Sequence, residues 1–161
     1  MRIESGDIWS FWRKGFAVVI PGNIGWTRSG DNVMGRGVAA QARDLYPTLL
    51  PKQVGAYCRA NGANTGVCLV GVGEGRWFIF FPVKPLNVHQ PWLSWKGPAT
   101  LDLVRKSAQE LANIGGVPDV DKMKFALPLV GCGNGGLDPD DVIPILAECL
   151  KEDRFVLVIR E

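Results

Sequence analysis

At 161 residues, 47% of them hydrophobic, the chain is about the length of one domain and apolar enough to bury a core, which excludes a disordered polypeptide. Its 18 Lys and Arg residues against 16 Asp and Glu give a net charge of +2, too small for the broad basic surface of a dedicated nucleic-acid scaffold, so any nucleic acid has to be held locally. No apolar run reaches the ~18–20 residues of a membrane span, and Asp7, Trp9, Trp12 and Arg13 stand where a signal peptide needs its apolar stretch, so a cytoplasmic protein without a membrane partner is expected.

Residues 1–4 read as a short strand, and the run 16–21 has the unbroken apolar character of a buried parallel strand, ended by Gly22 and Asn23. Residues 38–45, with three alanines, predict a helix stopped by Pro47, and residues 50–60 a second one stopped by Gly62. The apolar runs 67–72 and 76–82 flank Gly73, Glu74 and Gly75 and predict a β-hairpin, so part of the sheet is expected to be antiparallel. A loop rich in Pro and Trp, 84–98, is followed by an amphipathic helix over 100–113 with Leu101, Val104, Ala108 and Leu111 on one face and Thr100 as its cap. A strand at 124–130, a helix at 140–151 and a strand at 155–159 close the chain. The expected architecture is one mixed α/β domain over residues 1–161, with about six strands and four helices.

Cys58, Cys68, Cys132 and Cys149 contain no C-x-x-C pair, and His89 is the only histidine, so free thiols and no metal site are expected. The 20 glycines exceed the usual ~7% of residues and cluster beside apolar runs, the pattern of loops shaped for a ligand.

The densest cluster is Gly131, Cys132, Gly133, Asn134, Gly135 and Gly136, directly after a predicted strand, where backbone N–H groups released from the sheet can converge on an anion. It matches G-x-G-x-x-G, yet only one strand follows it, which does not suit a dinucleotide-binding fold; a P-loop is excluded by the missing Lys and Ser/Thr. Asp138 and Pro139 predict the N-cap and first position of the next helix, with Asp140 and Asp141 in its first turn. That helix end is already supplied with acid, so a phosphate would have to bind the glycine loop itself. A tight turn that is merely glycine-rich is the competing reading. A second small-residue loop, Asn32 to Ala40, also precedes a helix, and two such loops at the carboxyl ends of strands would face one crevice.

Together with Gly6, Asp7 and Ile8, these segments resemble the macrodomain family over nearly the whole chain, and within it the branch of DarG-type antitoxins and terminal ADP-ribose glycohydrolases. The resemblance is carried by residues 6–8, by Asn23 with 34–41, by 77–84 (WFIFFPVK) and by 127–138 (LPLVGCGNGGLD). It implies a three-layer α/β/α sandwich binding ADP-ribose in a cleft, without a metal or cofactor. Asp7 would accept from the adenine amino group and Ile8 would pack nearby. Asn23 with Gly35, Gly37, Val38 and Ala39 would surround the distal ribose, and Gly131, Cys132, Gly133, Asn134, Gly135, Gly136 and Leu137 would wrap the diphosphate. A carboxylate, an amide and glycine backbone suit those three groups chemically, although Asp7 also reads as an ordinary turn residue. The stretch 24–33 is longer than expected of this branch, which draws attention to Trp26, Arg28 and Asp31 as an extra lip without assigned roles.

The same resemblance places Lys84 at a catalytic lysine whose amine attacks the anomeric carbon of the distal ribose, which requires a pocket that desolvates it. Without the resemblance Lys84 reads as a solvated strand-end lysine. Protein-directed relatives carry an aspartate where Gly135 falls here, which tilts the expected substrate toward ADP-ribosylated nucleic acid. Trp92, Trp95 and Lys96 could stack a base of single-stranded DNA and hold a phosphate, or close a hydrophobic edge of the sheet. His89 follows in the same loop as a weaker catalytic candidate. The expected function is removal of ADP-ribose from a macromolecule, DNA among the candidates; a phosphatase on ADP-ribose 1″-phosphate and a non-catalytic ADP-ribose reader are the alternatives.

Overall fold

The computed structural model describes residues 1–160. Six strands form one sheet: β1 (Arg2–Ser5), β2 (Ala17–Asn23), β3 (Cys68–Gly73), β4 (Arg76–Lys84), β5 (Phe125–Leu127) and β6 (Phe155–Ile159), in the order β1-β6-β5-β2-β4-β3. Only the β3–β4 hairpin pairs antiparallel; every other pairing is parallel. The helices are α1 (Ile8–Arg13), α2 (Gly37–Leu45), α3 (Leu49–Asn61), α4 (Leu101–Ala112) and α5 (Pro139–Cys149).

Side chains alternate along β2 between two cores, as the pleat requires. Val18 and Ile20 point into the layer formed by α1, α2 and α3, with Trp12, Ala42 and Val54, while Ala17 and Val19 point into the layer of α4 and α5, with Val104, Leu111 and Leu146. The result is the α/β/α sandwich expected from the sequence, with its mixed sheet buried on both faces.

The predicted elements are present with two differences. Residues 8–13 form the additional helix α1, whose Ile8, Phe11 and Trp12 are buried at helical spacing. The fifth strand pairs only over Phe125–Leu127, because Pro128 has no N–H to give the ladder. Thr100 caps α4 by accepting from Leu103 N at 3.2 Å, and Asp138 caps α5 by accepting from Asp140 N at 2.9 Å, with Pro139 at the first helical position.

Parallel order leaves the carboxyl ends of β1, β2, β4, β5 and β6 on one edge of the sheet. From β2 the chain runs outward through α2, α3 and β3 to β4, and then returns across the sheet to β5. The loops after β2 and β5 therefore diverge and leave a crevice, the place where open α/β sheets bind ligands.

Candidate functional site

That crevice is a cleft of about 600 Å³, within the usual range for small-molecule sites. Its floor is made by the ends of three strands: Asn23 from β2, Lys84 from β4, and Pro128 with Leu129 just after β5. The two small-residue loops form its walls. Gly35, Gly37, Val38 and Ala39 line one side, and Gly131, Cys132, Gly133, Asn134 and Gly135 the other.

The second wall presents main-chain donors. Residues Gly133–Gly135 make a single 3₁₀ turn, so the N–H groups of Gly133 and Asn134 have no partner within it, and they bond to no other described residue. Gly133 has φ +64° and a bare Cα facing open space, which lets a ligand approach its backbone. Leu137 N donates to Gly131 O at 3.0 Å and closes the loop behind the cleft. Gly136 and Leu137 lie outside the lining and shape the loop from behind.

On the facing wall α2 begins at Gly37 with no side-chain cap, so its first-turn N–H groups and the positive end of its dipole are directed at the cleft. This end is left open, whereas the terminus of α5 is filled by Asp138. Arg36 at the N-cap also lines the cleft and was not singled out by its sequence context. No described residue lining the cleft is acidic, and two, Arg36 and Lys84, are cationic.

Among the described residues Lys84 is the charged side chain buried most deeply, at 8% exposure, and its Nζ donates to the carbonyl oxygen of Trp95 at 2.7 Å. Burial, and secondarily the Arg36 guanidinium, push its pKa below the ordinary 10.5, and it forms no salt bridge with any described carboxylate. The other potential nucleophile in the cleft, Cys132, is pushed the opposite way by burial and by Asp138, so its thiol stays protonated at neutral pH. Of the two, only the amine is biased toward its nucleophilic form.

Asn23 is buried and largely committed to the protein. Its Nδ2 donates to Val33 O at 2.9 Å, and its Oδ1 accepts from Gly25 N at 3.0 Å and from Asn32 Nδ2 at 3.3 Å. One N–H of the amide is left for a ligand. Stretch 24–33 folds back onto α3, with Asn32 N donating to Pro51 O at 2.9 Å, and it contributes Val33 to the wall. It fits only because Gly55 of α3 has no side chain: a Cβ there would stand 1.9 Å from Gly30 O. Trp26 packs partly on the core, and neither Arg28 nor Asp31 reaches the cleft.

Asp7 and Ile8 lie off the cleft lining. Asp7 caps α1, accepting from Trp9 N at 3.0 Å, and is exposed; Ile8 belongs to the core. Both follow β1, at the same carboxyl edge as the cleft. His89 is exposed and outside the lining, whereas Trp95 lines the cleft at 41% exposure; Trp92, at 45%, does not line it. Neither indole closes the core.

This architecture, with a cleft at the parting loops of a mixed six-stranded α/β/α sandwich, is the macrodomain fold. Among structures of that fold the chain is similar to the macrodomains of DarG proteins. It superposes on the macrodomain of Mycobacterium tuberculosis DarG with a TM-score of 0.72 and 25% identity, covering 98% of this chain and 96% of that one. It matches the macrodomain of Thermus aquaticus DarG with a TM-score of 0.71 and 22% identity, over 99% and 97% of the two chains. Thermosipho africanus DarTG, solved in complex with ADP-ribose, gives 0.71 at 20% identity over the whole of this chain and 42% of that one. A curated relative, the DNA ADP-ribosyl glycohydrolase of Mycobacterium tuberculosis, is 26% identical over 123 residues, which are 74% of this chain. The match spans 32% of that relative, so the chain corresponds to about a third of its length. No family model matches the sequence.

Proposed function

We propose that this chain binds ADP-ribose and releases it from a modified macromolecule, with Lys84 as nucleophile. The observation that carries the reading is a cleft with two cations, two sets of free N–H groups and no carboxylate, holding a buried lysine at its floor. That charge pattern suits a diphosphate and repels nothing anionic. ADP-ribosylated DNA is the favoured substrate class, supported by the activity named for the curated relative.

The order of groups along the sheet edge matches the order of groups in the ligand. Asp7 and Ile8 stand at β1 for adenine, the glycine loop follows β5 for the diphosphate, and Asn23 with Lys84 ends β2 and β4 for the distal ribose. From β1 to β4 there are four strand spacings of ~4.8 Å, about 19 Å, which an extended dinucleotide-like ligand can bridge. Asn23 offers its remaining N–H to a ribose hydroxyl, and the walls at Gly35, Gly37, Val38 and Ala39 pack against the sugar.

In the proposed reaction the neutral amine of Lys84 donates its electron pair to the anomeric carbon and forms a C–N bond, the bond from that carbon to the aglycone breaks, and the aglycone leaves with the electrons of the broken bond. The proton released from the new ammonium goes to the aglycone or to water. The ribose ring then opens, its oxygen taking a proton, to leave an iminium between the anomeric carbon and Lys84. Water adds to that carbon and gives up a proton, and the C–N bond breaks as the nitrogen takes a proton, returning the amine and releasing ADP-ribose, which recloses. The absence of acidic residues from the cleft lining keeps one second reading in play, a reader that binds ADP-ribose without turnover. Assaying wild type and Lys84→Ala on ADP-ribosylated oligonucleotide and protein separates the two: turnover by the wild type alone supports the enzyme, and none by either supports the reader.

A further inference from the structure

Trp95 touches the site twice. Its carbonyl oxygen holds Lys84 Nζ at 2.7 Å, and its indole lines the cleft while remaining 41% exposed. A large aromatic ring left open at the rim of a cleft forgoes burial that such a ring usually finds. No aromatic ring among the described residues pairs with it, and the one charged group over it is Lys96, whose Nζ lies 5.3 Å from the ring centroid.

The segment bearing it, the 3₁₀ turn Pro91–Lys96, is firmly seated. Ser94 is buried and its Oγ accepts from Asn87 N at 2.9 Å. Gly25 packs so closely beneath it that a Cβ there would be 2.2 Å from Pro91 O. The ring is therefore held on a fixed base, and its carbonyl ties that base to the amine of Lys84.

We infer that Trp95 is a positioning residue for the leaving group: a planar nucleobase attached to the distal ribose stacks on the face of its exposed indole away from Lys96, whose ammonium is left for the adjoining phosphate. One residue then sets both the attacking amine and the departing base, so aglycones that are flat and aromatic are selected over flexible side chains. This deepens the reading of the cleft as an ADP-ribosyl hydrolase site and rests on it.

The test uses Lys84→Ala, which removes turnover, as the parent for binding measurements with free ADP-ribose and with an oligonucleotide carrying ADP-ribose on a base. The oligonucleotide is expected to bind more tightly than ADP-ribose. Adding Trp95→Ala should abolish that excess, weakening the oligonucleotide about tenfold or more beyond whatever change free ADP-ribose shows, while Trp95→Phe keeps most of the excess. An excess that survives Trp95→Ala, a phenylalanine variant as weak as alanine, or a fall in ADP-ribose affinity as large as the fall for the oligonucleotide would each overturn the platform. Failure of free ADP-ribose to bind wild type would overturn the ADP-ribose reading itself, and the platform with it.

Discussion

Gly133→Val separates two consequences of a single side chain. With φ +64° the position is left-handed, and any residue with a Cβ is strained there by about 1–2 kcal/mol, a β-branched one toward the upper end. For a domain of this size each kcal/mol lowers Tm by about 2–4 °C, so a drop of about 2–8 °C is expected. A Cβ there meets no atom beyond its chain neighbours within 4 Å, and because Gly133 lines the cleft the valine is expected to occupy the space beside the free N–H groups of Gly133 and Asn134. If ADP-ribose binds in the micromolar range, about 8 kcal/mol, losing two charge-assisted hydrogen bonds of ~1.5–3 kcal/mol each weakens it at least ~100-fold. Gly75→Val is the matched control. Its φ is +70°, its Cβ also meets nothing within 4 Å, and it turns the β3–β4 hairpin at the opposite end of β4 from Lys84. Calorimetric titration and thermal melting of both variants should show a similar loss of Tm and a loss of affinity in Gly133→Val alone. Wild-type affinity in Gly133→Val, or an equal loss in Gly75→Val, would refute the diphosphate role of the loop.

Lys84→Ala should keep ADP-ribose affinity and lose turnover by about 10²-fold or more, because the amine acts on the transition state; sodium borohydride with substrate should leave a mass adduct on Lys84 of the wild type. Since the neutral amine reacts and the Lys84 pKa lies below the ordinary 10.5, kcat/KM should rise with pH up to that depressed pKa and then level. Arg36→Gln removes one cause of the depression, so the pKa rises, the profile moves to higher pH, and turnover at neutral pH falls; a profile that does not move excludes Arg36 from tuning the amine. In direct competition, ADP-ribosylated single-stranded DNA should be processed faster than ADP-ribosylated protein, with a shallow salt slope of about −0.7 per phosphate contacted. A clear preference for protein discards the DNA assignment.

Much of the site was legible because its parts have local signatures. The glycine loop after a strand, the Asp138 and Pro139 start of α5, and the Thr100 cap of α4 each depend on neighbours within a few residues, and they appear where the sequence placed them. Lys84 was legible only through the resemblance; its burial arises from strand β4 and the 3₁₀ turn that supplies its carbonyl partner 11 residues later. Arg36 has no local signal, since its role is set by where the open end of α2 falls. Helix α1 was missed because four bulky apolar residues in six disguise it, although the Asp7 cap and the spacing of Ile8, Phe11 and Trp12 carry the signal. The close seating of stretch 24–33 depends on Gly25 and Gly55, whose bare Cα atoms meet partners distant in sequence.

The missing carboxylate in the cleft has a cause in packing. A Cβ at Gly135 would stand 2.9 Å from the Cβ of Ala99, and the two backbones are joined by Ala99 N donating to Gly135 O at 3.0 Å. Any side chain at 135 must push apart the glycine loop and the start of α4, so an aspartate there would require a repacked wall. The cleft therefore has a positively charged surround and no acidic side chain, so in the proposed reaction the proton available to the aglycone is the one that the Lys84 ammonium releases after attack has begun. Under that constraint the chemistry favours aglycones that depart as stabilised anions, such as a carboxylate with its pKa near ~4 or a base whose ring delocalises the charge, and disfavours an alkoxide. Carboxylate and nucleobase linkages both meet the leaving-group requirement, so discrimination between protein and DNA has to come from recognition outside the reacting bond. The exposed ring of Trp95 is the cleft's aromatic surface available for that recognition.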